Sequence, residues 1–350
     1  MPSLGDACRT LTRRWPRVFL RLMHKHVRET PFHKIGRWGR GRVRAIAPDA
    51  RDLDLLFALF THGALSSDML RALAAPTDSQ RAITDRLFLL KNPPNDYVVQ
   101  PEAQERAANR HCAPLVFEIT ERGVDTLVDA GRIAYDDFIL WSKMQVNFKP
   151  QHFDHDIAAG YVLASLALGA REAGIRFVSW RDILNRPRCP VETRDSRNPS
   201  AIPYETNGER HVLIPDGLFG LQYSSGACFF ALEIDMGTEQ QQDNTLKSTT
   251  LRQKFRAYRV VMRERLFASR FALPSLMLTT VTTGAIRMRN MMEHVASLSD
   301  HGAQDLGRAL LFKAIPSLSP RLPERPPITG HMLTIPWERS NHPQLNLANP

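Results

Sequence analysis

Three acidic residues in the stretch from Ile214 to Gly237, namely Asp216, Glu233 and Asp235, are the side chains whose types and spacing best suit chemistry. The run Ile-Pro-Asp-Gly-Leu-Phe-Gly-Leu-Gln-Tyr, a Ser-Ser-Gly-Ala turn and the run Cys-Phe-Phe-Ala-Leu-Glu-Ile-Asp-Met-Gly read together as a β-hairpin. Side chains two apart in a strand share a face, so Glu233 and Asp235 point one way while Leu232 and Ile234 point the other. If the turn is tight, Asp216 at the start of the facing strand lies near that pair. Three oxygen donors so placed make a site for a hard divalent ion such as Mg²⁺. The competing reading is structural: Pro-Asp-Gly is a common turn, and acids on an outward strand face are usually just solvated. Against it, like charges on one face cost energy unless a cation or a basic partner compensates.

Elements that can hold such a hairpin surround it. A helix is expected from about Asp154 to Gly174, with Ile157, Tyr161, Leu163, Leu166 and Leu168 inward, then a short strand from Arg176 to Trp180. Residues 186 to 210 are polar and Pro-rich and read as an excursion loop. Behind the hairpin, a helix from about Thr245 to Leu266 places Lys254 and Tyr258 on one face, four residues apart. A β-branched strand, Ser275 to Thr283, and a helix over 285 to 298 follow. The tail from 316 to 350 is Pro-rich and reads as extended.

The chain has 350 residues, 43% of them hydrophobic, enough for two domains with real cores. No apolar run approaches the roughly 20 residues of a membrane-spanning helix. Cys8, Cys112, Cys189 and Cys228 are scattered without Cys-x-x-Cys spacing, which argues against a zinc ribbon or a disulfide framework and fits a reducing, cytoplasmic compartment. The formal charge of +10 sits in one place: residues 1 to 47 hold 12 Lys/Arg against Asp6 and Glu29, which leaves the remainder balanced at 34 of each sign. An arm carrying Arg13, Arg14, Arg17, Arg37, Arg40, Arg42 and Arg44 fits phosphate-backbone binding with a steep salt dependence. A solubilising tail or a targeting peptide would share that composition. The Gly-Arg-Trp-Gly-Arg-Gly-Arg segment at 36 to 42 favours nucleic acid, since it can follow phosphates and stack on a base.

From Pro48 to residue 131 the pattern predicts three short helices, two strands around a polar loop bearing Arg106 and Arg110, and a closing helix that starts at Thr120-Glu121-Arg122-Gly123. That is the order of a winged helix-turn-helix, whose third helix enters the major groove of double-stranded DNA. Ser79, Gln80, Arg81, Thr84 and Arg86 are the expected contacts. Winged helices also dock proteins, so recruitment of another protein is the alternative. Residues 132 to 152 read as a linker, with Trp141, Phe148 and Phe153 as docking aromatics, before a second domain over 153 to 315.

The helix, strand, acidic hairpin, helix and strand of that second domain, in α-β-β-β-α-β order, resemble the mixed α/β core of PD-(D/E)XK (restriction-endonuclease-like) nucleases. A winged helix followed by Pro215-Asp216-Gly217, Phe229 to Glu239, Lys254-x-x-x-Tyr258 and Thr279-Thr280-Val281-Thr282-Thr283 is similar to the bacterial replication-relaxation family over roughly residues 50 to 300. The resemblance implies a part in plasmid or mobile-element replication and mobilisation, with a relaxase or replication protein as prospective partner. It also implies that Asp216, Glu233 and Asp235 hold Mg²⁺. One position departs from the nuclease pattern: where a Lys should follow the strand acid by two residues, the chain has Asp235. A carboxylate can hold a metal but cannot neutralise a developing phosphorane. Lys254, or failing that Lys247, would have to reach in from the following helix. Two functions are therefore expected: a DNA-binding accessory protein with an inactive nuclease-like core, or an active Mg-dependent endonuclease.

Overall fold

Asp49 begins the first helix, α1 (Ala50–His62), with a reciprocal cap in which its carboxylate accepts from the Asp52 N–H and the Asp52 carboxylate accepts from its own N–H. The computed structural model describes residues 44–102, 104, 115–145, 153–237, 251–298, 306–318 and 326–350. After α1 come β1 (Leu65–Ser66), α2 (Ser67–Ala74), α3 (Gln80–Lys91), β2 (Val98–Val99), β3 (Val116–Ile119) and α4 (Glu121–Asp129). The strands form an antiparallel three-stranded sheet in the order β1-β3-β2, with Leu65 opposite Phe117 and Val98 opposite Ile119. Thr120 caps α4 through its hydroxyl where the closing helix is expected to start, and Ser79, expected as a DNA contact, caps α3 in the same way.

The segment expected to be a linker contains a helix, α5 (Tyr135–Gln145). Asp137 in its first turn is buried and accepts from Arg181 Nε at 2.7 Å, which pins the helix to the rest of the molecule. Trp141 packs on the hydrophobic core; Phe148 lies outside the described residues. The next helix, α6 (Phe153–Glu172), is apolar nearly all round, and a helix of that kind must be covered on every side. Gly160 and Gly169 let it approach backbone closely: a Cβ there would stand 2.3 Å from the Ala64 carbonyl oxygen and 2.5 Å from that of Gly330. One hydrophobic cluster consequently runs from α1 through α6 into the large sheet.

After α6 the chain forms β4 (Arg176–Val178), α7 (Trp180–Leu184), α8 (Val191–Asp195), β5 (Ile202–Thr206), β6 (Glu209–Leu213), β7 (Gly217–Tyr223) and β8 (Gly226–Asp235). Then follow α9 (Leu251–Arg263), α10 (Leu266–Phe271), β9 (Met277–Thr282), α11 (Ala285–Leu298), α12 (Leu306–Ala309) and β10 (Leu310–Ala314). The excursion loop is in fact the short helix α8 and a hairpin, β5 and β6, turning on Asn207 and Gly208 at φ 52° and 78°. The expected single helix to Leu266 is broken at Arg265, which takes φ 52° between α9 and α10.

The tail is the largest departure from expectation. Instead of an extended segment poor in core residues it supplies α13 (His331–Thr334) and the strands β11 (Trp337–Arg339) and β12 (His342–Leu345), which complete a seven-stranded sheet in the order β12-β11-β10-β9-β8-β7-β4. Trp337 is wholly buried, its Nε1 donates to the Met332 carbonyl at 2.9 Å, and Lys313 Nζ sits 4.5 Å over its ring. A single large aromatic anchor outweighs the proline content of the segment, because burying it removes so much apolar surface from water. β8, β9 and β10 run parallel, and the other pairings of this sheet are antiparallel. One face of β8 (Phe230, Leu232, Ile234) packs in the α6 cluster; Phe229 and Ala231 face the α9 side. Among the described residues no helix is long and apolar enough to cross a membrane.

Candidate functional site: a neutralised acid cluster on the central strand

Strand alternation puts Glu233 and Asp235 on the α9 side of β8, and both are buried, at 1% and 2% exposure. Solvation therefore plays no part in offsetting their charge. Each is met instead by a cation from a helix. Lys254 and Tyr258 of α9 share a face, and both reach Glu233: Nζ lies 2.7 Å from Oε2, and the phenol donates to Oε1 at 2.7 Å. Asp216, just before β7, stands beside the same lysine, with Oδ1 3.9 Å from Nζ. Its Oδ2 accepts from the Ile234 N–H at 2.8 Å and pairs with His155 Nε2 at 3.0 Å. Asp235 belongs to a second unit. Arg287 of α11 holds it with both Nε and Nη2, the latter at 2.7 Å from Oδ1, and Thr282 donates to Oδ2 at 2.8 Å.

The titration behaviour follows from that wiring. Burial, and then the charge of Asp216, push Glu233 up to about 8 against the pull of Lys254 and Tyr258. Burial would also raise Asp216, but His155, Lys254 and the Ile234 N–H outweigh it and hold its carboxyl below the usual range. For His155 burial opposes the charge, yet hydrogen bonds to Asp156 and Asp216 raise it to about 10, so it is an imidazolium at neutral pH.

Mg²⁺ does not fit this arrangement. The ammonium of Lys254 occupies the position between Asp216 and Glu233 where an ion would bridge them, and Asp235 is committed to Arg287 and Thr282. Among the described residues no three His, Cys, Asp or Glu side chains converge in a way that could hold a metal. The predicted lysine does reach the acids from the following helix. The predicted third ligand does not join them. Arg287 had no signal in the sequence, because the pairing crosses 52 residues and no short spacing announces it. His155 and Asp156 start the helix that the nuclease resemblance places beside the acids, with no catalytic role expected of them; His155 is indeed there, on Asp216. Lys247 lies outside the described residues.

The expected DNA contacts divide just as sharply. Of the α3 residues, Ser79 is spent on the helix cap, Gln80 donates to Ser67 at 3.0 Å, and Thr84 bonds back to the Gln80 carbonyl at 2.9 Å. Arg86 turns inward to the fully buried Asp52, its Nε 2.7 Å from Oδ1, with Asp49 3.6 Å away. It is a structural cation and not a surface contact, which corrects that assignment. Arg81 does project, with 85% of its side chain exposed and Asp85 at 3.7 Å. Arg44 is exposed; Arg13, Arg14, Arg17, Arg37, Arg40, Arg42, Arg106 and Arg110 lie outside the described residues.

A cavity of about 330 Å³ adjoins Asp216, lined in part by His62, Glu118, Trp141, Asp156 and Trp180. Glu118 Oε1 is buried there without a partner, and burial, then the charge of Asp156, raise its carboxyl to about 7. The folded state thus binds a proton on Glu118 that the unfolded chain releases near 4.5. The stability this gives is complete below about 4.5 and is lost as pH rises toward 7. Glu118→Gln, which is always neutral, is expected to raise the melting temperature near pH 8, by up to about 2 kcal/mol of stability, with little change near pH 5. An equal effect at both pH values in thermal melts would refute the buried ionisation.

These features define an α/β protein in which a helical N-terminal part with a small antiparallel sheet precedes a mixed seven-stranded sheet, and in which a buried acid–base network marks the central strand. The chain belongs to the replication-relaxation family, whose family model matches residues 56–272. The family ties the protein to replication. Neither the curated proteins nor the solved structures compared with the chain give a significant match.

Proposed function

We propose that this protein is a DNA-binding accessory factor in the replication or mobilisation of a plasmid or other mobile element, with a nuclease-like core that does not cleave. The observation that carries the second half is the Lys254 ammonium lodged between Asp216 and Glu233 while Arg287 closes Asp235. Asp216 and Asp235 are matched by the protein's own cations, and Glu233, pushed up to about 8, holds a proton near neutral pH, so no charge is left over for a divalent ion. DNA binding rests on the order of α1 to α4 with the β1-β3-β2 sheet, the order of a winged helix, and on the family. α3 presents Arg81 at its exposed end, and the Arg-rich segment upstream supplies the charge for phosphates.

The endonuclease reading has one specific support: Asp216, Glu233 and Lys254 form an acid-acid-lysine trio even though the lysine comes from a helix. Incubation of the full chain with supercoiled plasmid and Mg²⁺ or Mn²⁺, beside gel shifts on duplex DNA, separates the two. Salt-sensitive binding without nicking is the expected result. Metal-dependent cleavage abolished by both Glu233→Ala and Lys254→Ala would overturn the accessory reading and establish the nuclease. Absence of binding to any duplex would leave recruitment of a relaxase or replication protein as the role.

A further inference from the structure

Outside residues 1 to 47 the charges of the chain balance, but they are not spread evenly. Between 251 and 270 stand Arg252, Lys254, Arg256, Arg259, Arg263, Arg265 and Arg270 against the single acid Glu264. Most of that excess belongs to α9, the helix whose inner face closes the acid cluster. Arg252, Arg256, Arg259 and Arg263 recur at intervals of four, three and four, so they fall on one narrow face of the helix. Phe255, Tyr258, Val261 and Met262 are buried on the other side. Arg252, Arg256 and Arg263 are exposed and Arg259 is half-buried; Arg263 reaches its neighbour Glu264 at 2.9 Å.

An exposed helix face that serves only solubility usually mixes the two signs, because i,i+4 pairs of opposite charge stabilise it and like pairs do the reverse. No acid stands three or four residues along α9 from any of these four arginines, so the helix itself supplies no such pair. At a rise of about 1.5 Å per residue they span about 16 Å, a length over which a nucleic-acid strand offers several phosphates. Arginine also suits the ligand, since its planar fork pairs with two phosphate oxygens at once. A regular linear charge track matches a polyphosphate backbone better than the irregular acids of a folded protein.

We infer that the outer face of α9, through Arg252, Arg256, Arg259 and Arg263, is a second nucleic-acid-binding surface that grips the phosphate backbone independently of α3. The inference rests on the DNA-binding reading above and adds a contact on the opposite module of the fold. It makes the large sheet domain a clamp on DNA whose grip carries no sequence information.

The test uses the full chain, a random-sequence duplex and fluorescence anisotropy over a range of salt concentrations. Arg252→Gln/Arg256→Gln touches only exposed side chains, and an unchanged thermal melt verifies its fold. The expected result is a plot of log affinity against log salt that is shallower by about 1.8, from two lost phosphate contacts, and affinity weakened more than about tenfold at low salt. Arg81→Gln, on α3, serves as the comparison. Wild-type slope and affinity in the Arg252/Arg256 variant, with Arg81→Gln weakened, would overturn the α9 surface and leave the DNA-binding reading standing. No binding of duplex by the wild type would overturn both. Binding of polyglutamate as tight as that of duplex, lost in the Arg252/Arg256 variant, would assign the face to acidic proteins and so overturn it as well.

Discussion

Lys254→Met lowers the unfolding free energy by about 3–5 kcal/mol near pH 9, and by distinctly less near pH 5, as the expected outcome of chemical denaturation at the two pH values. The cost arises because Glu233, at 1% exposure, and Asp216 lose the ammonium they share. Glu233 already titrates at about 8 in the fold against an ordinary 4.5. An acid raised in this way gives stability that is complete below its unfolded value and is lost as pH climbs through the folded value. Removing Lys254 pushes Glu233 higher still, so the window of loss extends upward and the difference from wild type widens in alkali. Asp216 adds a loss that is the same at both pH values: its lowered carboxyl contributes stability everywhere above the ordinary 3.8, and part of that contribution goes with the lysine.

The pair can be separated from simple loss of packing by a double-mutant cycle. Adding Glu233→Gln leaves a neutral side chain that still accepts the Tyr258 hydroxyl, and the double variant is expected to recover a large share of the stability lost by Lys254→Met alone. Additive losses and a pH-independent penalty would show that Lys254 is merely a surface stem over the site. Such a result would also reopen the region between Asp216 and Glu233 to a divalent ion, and with it the cleavage reading.

Arg86→Ala is the second large effect, with an expected loss of about 3 kcal/mol in urea denaturation. Asp52 is fully buried in the first turn of α1, and Arg86 clasps both its oxygens from α3. Without the guanidinium the buried carboxylate keeps, among the described residues, only the Asp49 N–H at 2.9 Å. The same substitution after Asp52→Asn is expected to cost far less, since no charge is then stranded. DNA affinity of the folded variant should stay within about twofold of wild type, because an arginine bonded inward offers nothing to a phosphate. Weakened DNA binding at unchanged stability would restore Arg86 to the surface role that its helix position first implied.

Much of the site was legible because strand and helix periodicity are local. Glu233 and Asp235 on one face of β8, Lys254 and Tyr258 on one face of α9, and the start of α4 at Thr120 follow from spacings of two to four residues. The β5–β6 hairpin reads as a loop in the sequence, because the polar and proline content around it outweighs the Asn207-Gly208 pair that favours a tight turn. The tail was misread for a similar reason: proline density marks a loop on average, while one buried Trp337 decides the outcome in this case.

The sequence by itself determined that the chain is an α/β protein with a helical N-terminal part, that acids project from its central strand, and that the excess positive charge is concentrated at one end. Only the tertiary structure decided what those acids face. Arg287 meets Asp235 from 52 residues away, His155 meets Asp216 from 61, and Arg86 meets Asp52 from 34. Burial forces each carboxylate to find a cation, but which cation reaches it is set by how helices pack across the sheet and across one another. Contacts of that range leave no periodic trace in the chain.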